Sequence, residues 1–201
     1  PGGRVLTSNK NAYDLYLQGR SLTTRAFGDG VLDTAISLLE KSLDIDPDFA
    51  ECWTALAEAH VYKSVYTPCL DRLTECEKMA EHARRAIFLT PDQGHARAML
   101  GILKWTKNDI VGALDLAFEA VRLEPTNPDV VIRLGSFLLY CGRTRQALPY
   151  IEAAIDQDPI NARNYAMLTT ARLNVGDIDG SIAAGERMRE LGFPAMWLAV
   201  A

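Results

Sequence analysis

Cysteine is scarce and unpatterned in this chain: Cys52, Cys69, Cys76 and Cys141 form no Cys-x-x-Cys pair and no regular framework. That spacing indicates neither a thiolate zinc site nor a disulfide scaffold. No Asn-x-Ser/Thr acceptor occurs and no signal-peptide pattern opens the sequence. No apolar run approaches the ~18 residues of a membrane span. The expectation is a protein of a reducing cytoplasm that engages no membrane. An excess of positive charge is missing too. Lys and Arg number 21 against 26 Asp and Glu, a formal charge of −5, whereas neutralising phosphates requires clustered bases. Nucleic acid is therefore not expected as a partner of this region, and Arg143-Thr144-Arg145 reads as solvated surface.

Catalytic patterns are equally absent. There is no glycine-rich phosphate loop, no Gly-x-Ser-x-Gly elbow and no paired-carboxylate context, so no nucleophile or acid–base pair stands out. His60, His82 and His95 are scattered, and none lies four residues from another His or Cys on one helix, so no preformed metal face is expected. Asp44-x-Asp46-x-Asp48 has the alternating carboxylates of a calcium loop. Phe49, however, stands where the sharp turn needs glycine and Ala55 where a bidentate Glu belongs. The stretch holding Glu75, Met79, Glu81 and Arg85 reads as a solvated helix face, with Glu81 and Arg85 paired at i,i+4. No catalytic residue, metal or cofactor is expected, and the chain is read as a non-enzyme.

What the sequence does contain is a period. Pro91, Pro125 and Pro159 are 34 residues apart, and each follows an apolar helical stretch; Pro47 precedes Pro91 by 44, the same interval plus ten. Within each interval apolar residues recur twice at helical spacing, separated by a short polar turn, so each unit is a helical hairpin. One unit predicts helices over 93–106 and 110–123 about Lys107-Asn108-Asp109, with Asp109 as N-cap. The next predicts helices over 129–140 and 144–157, joined at Cys141-Gly142, where glycine can take the left-handed conformation that closes a helix. The last turns at Val175-Gly176-Asp177. Small residues recur in register, at Gly101 and Gly135, Ala113 and Ala147, Ala120 and Ala154, and let helix backbones approach closely. The ten extra residues around 63–72, including Tyr66, Pro68 and Cys69, are read either as a recognition loop or as a longer connection without a partner.

Trp53-x-x-Leu56-Ala57, Leu100-Gly101…Ala113…Ala120…Pro125 and Leu134-Gly135…Ala147…Ala154…Pro159 resemble the tetratricopeptide repeat family over about residues 11–194. Ala117, Thr169 and Gly185 depart from its pattern, and Phe193-Pro194 delays the final proline by one. The resemblance implies an all-α, right-handed superhelical solenoid of about five stacked hairpins, whose first helices line a concave peptide-binding groove. The expected organisation is a flexible segment over 1–10, repeats over 11–194, and the start of a further, truncated helix over 195–201. There, Met196, Trp197 and Val200 would expose apolar surface and promote self-association. Pro1-Gly2-Gly3 lacks an initiating Met, and a longer natural chain is expected.

Residues 34 apart occupy equivalent positions, so the residue fourteen after each proline selects Val61, Trp105, Leu139 and Leu173. Neighbouring positions add Tyr62, Ile102, Ile132 and Tyr140. These eight are the expected groove, and their character favours an apolar or amphipathic protein or peptide segment. The basic clamp with which some members of the family hold a carboxylate is not matched here. The competing reading is a regulatory or substrate-recruiting arm of a multidomain signalling enzyme or transcription regulator, in which the same face covers a flanking domain.

Overall fold

In a computed structural model the chain is described over residues 7–25, 30–67 and 71–192. Every regular element among these residues is an α-helix: α1 Lys10–Arg25, α2 Val31–Ile45, α3 Ala50–Tyr66, α4 Arg72–Leu89, α5 Gly94–Thr106, α6 Ile110–Leu123, α7 Pro128–Tyr140, α8 Thr144–Gln157, α9 Ala162–Asn174 and α10 Ile178–Glu190. The 34-residue period reappears in the helix ends. Asn127 and Asn161 cap α7 and α9, their side-chain oxygens accepting from the backbone N–H of Asp129 at 3.1 Å and Arg163 at 3.2 Å. This satisfies donors that a helix start leaves without intrahelical partners. Asn108, Gly142 and Gly176, again 34 apart, carry φ of 62°, 74° and 84° in the hairpin turns. Two of these are glycine, which enters the left-handed region without a Cβ penalty, and the third is asparagine, which also tolerates it. Asp109 then caps α6 through the N–H of Gly112 at 3.0 Å, as its position predicts.

The chain forms two compact units, Pro1–Ala113 and Leu114–Ala201. In the first, α1 packs on α2 and α3 on α4, while α3 also lies against α1 and α5. One core cluster joins Tyr16, Leu39, Phe49 and Leu56; another joins Val61, Met79, Ala83 and Met99. Fully burying a side chain such as Leu39 or Met79 removes enough apolar surface to contribute about 1.5–3 kcal/mol. In the second unit α7 packs on α8, α9 on α10, and α7 lies beside α9. Gly135 makes the α7–α8 approach possible: a Cβ there would meet Ile151 Cγ1 at 2.9 Å and the Ile151 backbone nitrogen at 3.3 Å. The small residues of the second helices are core as their register predicts, with Ala113, Ala120, Ala147 and Ala154 all fully buried.

The ten-residue insertion is mostly helix. α3 has 17 residues and α4 has 18, where α7 and α8 have 13 and 14. Each inserted helix is thus four residues longer, and the remaining two lengthen the connection. Pro68 and Cys69 lie outside the described residues, as do the delayed Phe193-Pro194 and the expected helix over 195–201. Asp46 closes an ordinary turn, accepting from the Asp48 N–H at 3.2 Å, and Phe49 beside it is 2% exposed.

Candidate binding faces on the first helices

In the first unit, one face of α3 carries Thr54, Glu58 and Tyr62. The Thr54 hydroxyl meets the side chain of Gln93, itself buried. Tyr62 donates to Glu58 Oε1 at 3.0 Å, and its ring stacks on Tyr66 with centroids 6.0 Å apart. Glu58 is therefore an acid already engaged by the protein, and it is 4% exposed. On α5, Ile102 packs half-buried against the second core cluster, and its carbonyl accepts from Thr106 Oγ1 at 2.9 Å. Trp105 is also half-buried. Val61, by contrast, is 4% exposed and belongs to that core. It supports the face from beneath and offers no surface of its own.

In the second unit, α7 and α9 lie side by side. Ile132 is half-buried, with its carbonyl accepting from Ser136 Oγ at 2.8 Å. Tyr140 is 59% exposed, and its hydroxyl donates to Met167 Sδ on α9 at 3.6 Å. Leu173 is half-buried at the end of α9, whereas Leu139 is 4% exposed and packs inward. Six of the eight expected residues thus keep accessible area, three in each unit, and two are core.

One group of residues departs from the sequence expectation. Glu75 is not on a solvated face: it is 4% exposed and lies 2.7 Å from His60 Nδ1, while Lys78 Nζ reaches its other oxygen at 3.0 Å. Burial pushes the Glu75 carboxyl up, but the hydrogen bonds and charges of His60 and Lys78 outweigh this and hold it below the usual carboxylate value. Two of the three histidines also come together, His60 and His82 stacking with centroids 5.2 Å apart. Arg85 reaches Asp48 at 3.1 Å. A legible signal did exist. Trp53 and His60 are seven residues apart on α3, Glu75 and His82 seven apart on α4, and antiparallel pairing brings the two spacings level.

No protein-family model and no curated protein matches the chain. Among solved structures it is similar to TTC0263, described as a thermophilic TPR protein in Thermus thermophilus, with 18% identity, TM-score 0.69, and 94% of this chain and 95% of that one covered. The chain has the tetratricopeptide-repeat fold. Similarity extends to YrrB, described as a TPR protein with an unusual peptide-binding site, at 16% identity and TM-score 0.52 over 94% of this chain and 90% of that one. MamA matches at 20% identity and TM-score 0.52 over 81% of this chain and 89% of that one. The tetratricopeptide fold accounts for the recurring proline, the left-handed turn residue and the small residues at the helix contacts. At these identities the likeness concerns fold alone.

Proposed function

We propose that this chain is a scaffold that binds a protein or peptide segment through the first-helix faces of its repeats and performs no chemistry itself. The observation that carries this reading is the placement of large side chains at two adjacent repeat positions. Trp105 and Leu173 stand fourteen residues after their prolines and Tyr62 and Tyr140 fifteen, and all four keep accessible area. Tyr140, more than half exposed beside Met167, presents an apolar ring with a polar tip, the residue character that anchors interfaces. Ile132 lies on the same helix and Ile102 on the helix of Trp105. The mixed surface suits an amphipathic segment. The likeness to YrrB, described as having a peptide-binding site, supports the reading. The Cys52 thiol, pushed up to about 12 chiefly by burial, is no nucleophile. Free Cys52, Cys76 and Cys141 accord with a cytoplasmic setting.

A synthetic peptide array tests this, followed by titration calorimetry of the best binders against the parent chain, Tyr140→Ala and Trp105→Ala. Circular dichroism first establishes that each variant remains helical. A central aromatic anchor contributes about 2 kcal/mol or more, so at least one variant should lose roughly 30-fold in affinity. Equal binding by all three chains would sink the first-helix reading.

A further inference from the structure

Four side chains of the α3–α4 hairpin form a column that includes none of the eight candidate groove residues. The His82 ring lies between Trp53, with centroids 5.5 Å apart and planes at 28°, and His60, at 5.2 Å and 25°. His60 Nδ1 in turn meets Glu75 Oε2 at 2.7 Å. With Glu75 ionised, Nδ1–H is the donor of that bond, and Lys78 holds the other carboxylate oxygen. The Nδ1 atom of His82 is different: it is buried and has no hydrogen-bond partner. An imidazolium carries a donor at both nitrogens. A proton on His82 therefore confronts the closed hairpin with an unsatisfied buried donor and with a charge stacked on His60.

We infer that this column is a proton-operated latch, in which protonation of His82 loosens α4 from α3. Among the described residues, the charges that bear on His82 are those of His60 and Lys78, which oppose a proton there. On α3 the facing groups are Trp53 and His60. On α4 itself Lys78 is a further cation, Glu75 is committed to His60 and Lys78, and Arg85 turns to Asp48 and lies over the Phe88 ring. α5 contributes apolar Ala96, Met99, Leu100 and Leu103 to the hairpin core, and its Thr106 Oγ1 lies 3.6 Å from Cys76 Sγ. Burial, and then the charges of His60 and Lys78, lower the His82 pKa to about 4 from the ordinary 6.5.

The direction follows from linkage. Above about pH 6.5 His82 is neutral whether the hairpin is closed or open, and the latch holds. As pH falls toward about 4, the opened hairpin binds a proton that the closed one does not, so opening is favoured by up to about tenfold per pH unit. Below that range both forms are protonated and the effect saturates. The latch joins α4 to α3, the helix that also carries Tyr62, and its operation is independent of what the binding face takes.

Hydrogen exchange followed by mass spectrometry, on the whole chain at about pH 7.5 and about pH 5 with intrinsic rates corrected, reads the opening directly. Peptides from α3 and α4 in the parent should lose protection at the lower pH more than those from α1 and α2. His82→Phe, which keeps a flat ring in the stack but cannot titrate, should abolish that difference; His82→Gln serves the same purpose if the Phe variant loses its circular dichroism. An NMR titration of the parent's imidazoles should place His82 well below the ordinary midpoint. The latch is overturned if His82 titrates near 6.5, or if the non-titrating variant loses protection in α3 and α4 as the parent does.

Discussion

Glu75 illustrates how a residue's environment can defeat its local pattern. On α4 it is followed by Glu77, Lys78 and Glu81, a polar run that by itself describes a solvated helix. Its burial comes from α3, whose His60 supplies a hydrogen bond at 2.7 Å. Taking away one partner of such a pair leaves the other buried and unsatisfied, which costs about 1–3 kcal/mol. Glu75→Ala should therefore lower the urea midpoint by that equivalent, while Glu81→Ala, at an exposed position, should stay within about 0.5 kcal/mol. Equal effects would show that the His60 contact carries no stability. The column was only partly legible in the sequence, as matching seven-residue spacings on α3 and α4, because joining them depends on pairing across the hairpin. The groove positions were legible for the opposite reason, since they recur along the register itself. Periodicity nevertheless could not distinguish Val61 and Leu139, which turn into the core, from Trp105 and Leu173, which retain accessible area.

At the scale of elements, many boundaries are set by a residue whose physics is local. Proline stops a helix by lacking an N–H, Asn127 and Asn161 supply the next N-cap, and Asn108, Gly142 and Gly176 accept positive φ. Such signals can be read without tertiary information, and α6 and α8 fall where the sequence predicts them. The insertion was legible in length but not in form, because extra turns of helix and extra loop occupy the same count of residues. Contacts between elements are a separate matter, and there Gly135 is decisive. A methyl group added at this position would press on Ile151, side chain and backbone alike, and the backbone of α8 cannot step aside as a flexible side chain could. Gly135→Ala gains helix propensity of about 1 kcal/mol, yet overpacking typically costs about 1–3 kcal/mol. The net change should be destabilising, and a thermal melt raised by the substitution would show that α7 and α8 have slack between them.

For the molecule as a whole, stability in a repeat fold is approximately the sum of repeat stabilities and nearest-neighbour terms, so damage should remain concentrated where it is made. Ala154 tests this within the second unit. It is fully buried on α8, α8 packs on both α7 and α9, and a phenyl ring there has no space to enter without displacing a helix. Ala154→Phe should cost roughly 1–3 kcal/mol. The cost should appear as lost hydrogen-exchange protection in α7, α8 and α9 more than in α1 and α2, which belong to the other compact unit. A single cooperative globule would distribute the loss over all helices, because every protected amide would then exchange through one global opening. Measuring exchange for the parent and the variant at one pH separates the two cases. Uniform loss from α1 to α10 would mean that the two units unfold as one, whereas loss graded away from α8 would establish the local energetics that the repeating sequence implies.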